Sequence, residues 1–265
     1  MGDGLKNQDT PQRAERNMSS VAGRVYHRGV ARGASERREA LTAVWERGRD
    51  CRRCQLHETR TTVVFGAGNA DAELMFIGEA PGATEDKVGL PFVGQAGKLL
   101  DMLLAEIGLE RSEVFIANTL MCRPPGNRNP HPHELDACQE YLHSKIELIQ
   151  PAVICTLGNF STKLLRGDTT GISRLHGQPE IRVIGARAVR LYPLFHPAAA
   201  LYTPATLELL REDFRRIPEL LALGVPPQPE PEPAQPEPEP APEPRVQPVP
   251  ELGAEAELAQ LGLFS

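Results

Sequence analysis

The sequence has no surplus of basic charge. Its 265 residues carry 29 Lys and Arg against 35 Asp and Glu, a net of −6, whereas nucleic-acid-binding domains tend to be basic. No apolar run reaches the roughly 18 residues that a membrane span needs. The first residues, MGDGLKNQDTPQRAERN, lack the apolar core of a signal peptide. A cytoplasmic protein with no membrane partner is expected. No period recurs along the chain, which sets aside collagen, coiled coils and repeat arrays. In such a compartment the five cysteines (Cys51, Cys54, Cys122, Cys138 and Cys155) are expected to be ligands or buried thiols, not disulfides.

The charge that is present is unevenly spread. From Pro226 onward the chain has eight acids and one base, a net of −7, which leaves residues 1–225 at +1. The same tail holds 12 of the 25 prolines. The chain therefore divides into four regions. Residues 1–35 are polar and rich in Gly and Arg, and are expected to be a disordered leader. Residues 36–225 are expected to fold. Residues 226–250 alternate Pro and Glu, which gives an extended spacer that cannot form a core. Residues 251–265 turn apolar again and end AQLGLFS, as a tethered interaction peptide would.

Within 36–225, β-rich runs alternate with amphipathic segments. Strands are expected at Glu73–Ile77, Val114–Ala117, Ala152–Thr156, Glu180–Ile184 and Arg190–Phe195. Helical spacing places Leu99, Leu100, Leu103 and Ile107 on one helix, and Leu135, Cys138, Leu142, Ile146 and Ile149 on a second that stops at Pro151. A third carries Leu207, Leu210, Phe214, Ile217 and Leu221. Alternating strands and helices predict an α/β fold, three layers deep, around a mainly parallel sheet. Sites in such sheets form beyond the carboxyl ends of the strands. Three of these ends run into GEAPG, into Asn118 and into HPAAAL, so Glu79, Asn118 and His196 should meet at one edge.

Cys51-x2-Cys54 can offer two thiolates to one centre, and Cys122 and Cys138 two more. Four thiolates suit zinc or an iron–sulfur cluster, and spacing does not decide between them. Cys155, inside the apolar run VICTLG, reads as a core thiol.

Together CRRCQL, GEAPGATEDKVGLPFVGQAGKLLD, ANTLMCRPPGNRNP with the downstream Cys138, VICTLG and HPAAAL resemble the family-4 uracil-DNA glycosylases, the iron–sulfur members of that superfamily. The resemblance covers about residues 40–223. It implies a [4Fe–4S] cluster on Cys51, Cys54, Cys122 and Cys138, holding the loops around the pocket. It also implies a monofunctional, monomeric enzyme of base excision repair that hydrolyses the N-glycosidic bond of deoxyuridine in DNA.

The residues can supply that chemistry. Uracil must leave the stack and enter a pocket. Phe92 is the expected stacking face. The Asn118 amide can pair with uracil N3–H and O4, and a fixed Asn rejects cytosine, whose edge carries the opposite pattern. His196 is placed to donate to uracil O2 as charge gathers there. Glu79 and the main chain of Ala80 are placed to hold the attacking water; better-known uracil glycosylases have Asp at the position of Ala80. Glu85 and Asn127 are expected to line the pocket, Glu85 by crowding the C5 edge against thymine. Leu201 is the expected wedge that fills the gap left by the flipped base. Arg123, Arg128, Lys163, Arg174 and His176 are expected phosphate contacts. Met121 stands where the family often has Lys, and the insert of the covalently trapping relatives is absent. Gln260, Leu261, Leu263 and Phe264 resemble the peptide that docks bacterial repair proteins on the β sliding clamp. The rival readings are a superfamily glycosylase with another deaminated-base preference, such as hypoxanthine, and a non-catalytic iron–sulfur module that binds DNA or the clamp.

Overall fold

The computed structural model describes residues 33–230. The expected leader up to residue 32, the spacer beyond residue 230 and the terminal peptide lie outside the described residues. Helix α1 spans Ala34–Arg49, and a 3₁₀ turn comes next at Gln55–Glu58. The chain continues through β1 (Ala67–Gly68), β2 (Leu74–Gly78), α2 (Ala83–Val88), α3 (Gln95–Glu106) and β3 (Phe115–Asn118). A second 3₁₀ turn at Pro125–Asn127 leads to α4 (Pro132–Ile149), β4 (Val153–Leu157), α5 (Asn159–Arg166) and α6 (Ile172–Leu175). The described part closes with β5 (Glu180–Ile184), β6 (Arg187–Leu194), α7 (Pro197–Ala200), α8 (Pro204–Arg215) and α9 (Ile217–Ala222).

The six strands form one sheet in the order β1-β3-β2-β4-β6-β5. The inner four are parallel, and the two edge strands run antiparallel to their neighbours. Inner strands covered on both faces read as unbroken apolar runs, as LMFIG and VICTL do. Alternate residues serve opposite layers. Leu74, Phe76, Val153, Cys155, Tyr192 and Leu194 pack against α3, α8 and α9 through Leu100, Leu103, Phe214 and Ile217. Met75, Ile77, Phe115, Ile154 and Leu191 pack against α1 and α4 through Leu41, Val44, Leu142 and Ile146. The result is the expected three-layer α/β/α arrangement. Cys155 is fully buried, as a core thiol should be.

Some expected boundaries shift. The last strand begins at Arg187 rather than Arg190, because it forms a hairpin with β5 in which Arg187 pairs with Ile184. The third expected helix is two: α8 ends at Arg215, and α9 has Pro218 in its first turn, where a residue without an amide donor costs no helical hydrogen bond. The chain steps from β2 to β3 on one side, then crosses to β4 on the other. Such a reversal opens a crevice at the carboxyl edge of the sheet.

Candidate active site

That crevice is a cleft of about 310 Å3, with Glu79, Ala80, Glu85, Phe92, Asn118, Asn127 and His196 in its wall. The expected convergence of three strand ends is therefore met. β2 and β3 pair in register, Gly78 opposite Asn118, so the Asn118 side chain rises beside a residue that has none. A Cβ on Gly78 would stand 2.5 Å from Asn118 Oδ1 and 2.7 Å from the Phe92 ring. Asn118 is only 2% exposed, and its Oδ1 is buried without a hydrogen-bond partner. An orphaned buried acceptor costs about 1–3 kcal/mol, and Asn118 belongs to the cleft wall.

Phe92 sits at φ 51°, a left-handed conformation rare for an aromatic residue. Three contacts hold it there. Arg111 donates to the carbonyls of Phe92 (3.0 Å) and Pro91. Glu85 Oε1 accepts the amides of Val93 and Gly94 at 3.0 and 2.8 Å. Gly97 leaves room for the Phe92 carbonyl, with which any Cβ would collide. The Phe92 ring lies 5.6 Å from the His196 ring, the planes 29° apart.

His196 caps α7, and its Nδ1 accepts the Ala198 N–H at 3.1 Å. The proton of the neutral ring is therefore on Nε2, the nitrogen left to donate. Burial lowers its pKa to about 4, with Glu85 opposing, so the ring is neutral at physiological pH. Glu79 is half-buried, and burial raises its pKa. Its carbonyl accepts the Thr119 hydroxyl at 2.6 Å and the Leu120 amide at 3.0 Å, which ties the β2 end to the loop after β3.

Other expectations change. Glu85 lines the cleft, but one carboxylate oxygen is spent on the Phe92 loop, which makes it a support for the stacking face. Arg128 is not free for phosphate: it forms a two-pronged pair with buried Glu134 at 2.9 and 2.6 Å, and holds that carboxyl down to about 2. The His176 ring nitrogen is engaged by Asp213 at 2.9 Å. Arg123 donates to Asn127 Oδ1 at 2.7 Å, while Lys163 and Arg174 are exposed. Met121 is buried in the core. Leu201 is half-buried against the core, and the next residue, Tyr202, is 89% exposed. Sequence reasoning passed over Arg111 and Gly97; the left-handed aromatic they support has no local signature.

Beside the cleft, Cys54, Cys122 and Cys138 form a small cluster with Leu56, Leu120, Leu135 and Ala80. Cys51 comes just after the end of α1 and is close enough to act on Cys54 and Cys122. All four are free thiols. Burial raises the Cys54 and Cys122 thiols and pushes Cys138 up to about 12. Arg60 donates to Cys122 Sγ at 3.2 Å. Among the described residues, no three His, Cys, Asp or Glu close on a point as a single metal ion requires. No helix among them is long and apolar enough to cross a membrane.

The family model "Uracil DNA glycosylase superfamily" matches residues 65–219. A type-4 uracil-DNA glycosylase of Sulfurisphaera tokodaii is 44% identical over 187 residues, 69% of this chain and 85% of the relative. One of Archaeoglobus fulgidus is 44% identical over 186 residues, 69% of this chain and 94% of the relative. A third, of Thermotoga maritima, is 45% identical over 163 residues, 61% of this chain and 83% of the relative.

Proposed function

Because the chain belongs to the uracil-DNA glycosylase superfamily, with type-4 enzymes as relatives over most of their length, we propose that it excises uracil from DNA by hydrolysis in base excision repair. The observation that carries this reading is the unpaired Oδ1 of buried Asn118. Uracil N3–H is the donor it lacks, and the Asn118 amide nitrogen can reach O4. Cytosine has an acceptor at N3 and so leaves the oxygen orphaned. Phe92 offers its ring face to the flipped base.

As the C1′–N1 bond breaks, its electron pair passes to uracil and charge gathers on O2. The Nε2–H of His196 donates there, and a well-aimed donor of this kind contributes about 3–4 kcal/mol. Water attacks C1′ and leaves an abasic site and free uracil. Glu79, with the Ala80 main chain, positions that water, and its carboxylate faces the positive charge on the sugar. Ala80 has no acidic side chain, so no base at that position assists. The Leu201–Tyr202 turn supplies the wedge, and the exposed Lys163 and Arg174 remain for phosphate.

Four clustered cysteines, of which Cys122 and Cys138 are buried and Cys54, Cys122 and Cys138 have thiols raised by burial, fit a centre that supplies positive charge. A [4Fe–4S] cluster spreads its four thiolates farther apart than a single ion does. Cys51, Cys54, Cys122 and Cys138 would hold it, and its contribution is structural: it fixes the loops beside the cleft. The terminal Gln260, Leu261, Leu263 and Phe264, on a Pro/Glu-rich leash, support docking to a β sliding clamp. The work would be that of a cytoplasmic monomer, with residues 36–225 catalytic and 251–265 the docking peptide.

Oligonucleotides with uracil, hypoxanthine or thymine test the reading. Wild type should release uracil above all, with Asn118→Ala and His196→Ala strongly impaired. Full activity in both variants, or preferred release of hypoxanthine, would overturn it. Deleting Gln260–Phe264 should abolish clamp binding and leave turnover on short oligonucleotides intact; unchanged clamp affinity sinks the docking role.

A further inference from the structure

The cysteine loop and the loop that presents Phe92 are distant in sequence, yet one buried carboxylate joins them. Asp86, in α2, is 4% exposed. Its Oδ1 and Oδ2 accept the Thr61 N–H at 3.0 and 3.1 Å, and Oδ1 lies 3.5 Å from the Thr62 amide. A carboxylate is costly to bury, and this one spends its oxygens on the backbone amides of another segment, in a geometry that an apolar residue could not supply.

On one side the path continues to the thiols, because Arg60, just before Thr61, donates to Cys122 Sγ. On the other it continues to the cleft, because Glu85, just before Asp86, accepts the amides of Val93 and Gly94. The end of α2 packs on the same strut: Gly89, at φ +80°, leaves room for the Thr62 side chain. Two adjacent carboxylates on a six-residue helix thus hold the cysteine loop with one and the stacking loop with the other.

We propose that Asp86 is a positioning residue that couples the cysteine loop to the uracil pocket, by anchoring α2 so that Glu85 sets the Phe92 loop. This rests on the uracil reading of the cleft. Asp86 touches no reacting atom, so its effect falls on binding more than on bond breaking.

The test compares full-length wild type, Asp86→Asn, Phe92→Ala and the double variant on uracil oligonucleotides, with amide hydrogen exchange alongside. Asp86→Asn should raise KM roughly tenfold, about the worth of one hydrogen bond to a charged group, with a smaller change in kcat. That penalty should nearly vanish on the Phe92→Ala background, since coupled sites are not additive. The Val93 and Gly94 amides, remote from the substitution, should exchange faster. An unchanged KM, a full penalty in the double variant, or unaltered exchange at Val93 and Gly94 would each overturn the proposal. Wild type that releases no uracil would refute the functional reading instead, and the exchange arm would still decide the coupling. If Asp86→Asn does not fold, native-state exchange of wild type decides: Thr61 and Gly94 should open with one common free energy, and separate openings would refute the link.

Discussion

The amide N–H of Ala198 donates to Nδ1 of His196 at 3.1 Å, and this contact determines which ring nitrogen can act on a substrate. Burial holds the ring neutral by moving its pKa from 6.5 down to about 4. The donor is therefore an imidazole N–H over the whole neutral range. The ratio of wild-type to His196→Ala kcat should be on the order of 10²–10³ and flat between about pH 8 and pH 5. A ratio that titrated near 6.5 would place the active ring in its charged form and contradict the geometry. The same shift has a stability consequence. The folded ring resists a proton that the unfolded chain binds from 6.5 downward, so stability falls as pH drops from 6.5 toward about 4. His196→Gln should lose less stability than wild type over that window in urea titrations. Equal losses would mean that the ring titrates normally.

Asn118 should show function and stability pulling in opposite directions. Its Oδ1 has no partner within the protein, and an unpaired buried acceptor costs about 1–3 kcal/mol. Asn118→Ala removes that burden along with some packing. Its unfolding free energy should stay within about 1 kcal/mol of wild type, while uracil release falls by roughly 100-fold or more. A large loss of stability would show that the oxygen is already satisfied in the free protein.

The strand ends were legible because inner parallel strands are covered on both faces. LMFIG and VICTL are buried at every position, and the residues just past such runs lie at the functional edge. Helix α4 was legible from its spacing and from Pro151. Helix α1 was not, since its buried positions are only Leu41, Val44 and Gly48 amid charged residues. β1 is two residues long, too short to carry a pattern. Asn118, His196 and Glu79 could be placed from the strand ends, but Arg128 could not be told from a free phosphate contact. Its commitment to Glu134 is a matter of side-chain geometry, which charge counting does not carry. The supports of Phe92 come from Glu85, Gly97 and Arg111, three elements that meet only in the folded chain.

Gly97 is the most sensitive of those supports. A methyl there would run into the Phe92 carbonyl, which belongs to a residue already in a left-handed conformation. The loop must move, and the stacking face with it. Gly97→Ala should raise KM for a uracil oligonucleotide by more than roughly tenfold, the order set by losing one well-formed contact. Arg111→Ala, which removes hydrogen bonds without adding bulk, should shift KM the same way but less. A Gly97→Ala enzyme with wild-type KM would show that Phe92 does not hold the base.

The four thiols give a prediction that needs no activity. If they hold a cluster, purified protein is brown and contains iron and acid-labile sulfide in equal amounts. Cys138→Ala, which removes one of the two buried thiols among the four, should lose the colour and lower the melting temperature. Colourless wild-type protein with zinc alone would replace the cluster by a different centre.

The wedge separates two adjacent residues. Leu201 is half-buried against the core, while Tyr202 stands 89% exposed, two residues before α8 begins at Pro204. A side chain that fills the gap left by a flipped base must leave solvent for the stack, and an exposed ring does so without giving up core packing. Aromatic stacking on a base is worth about 1–3 kcal/mol. Tyr202→Ala should therefore weaken turnover on duplex uracil by roughly 5- to 100-fold and leave single-stranded uracil nearly unaffected, since no stack has to be filled there. Leu201→Ala should lower the melting temperature as well as duplex activity. If Leu201→Ala alone lost duplex activity, and Tyr202→Ala matched wild type on both substrates, the wedge would be the leucine and the tyrosine a bystander.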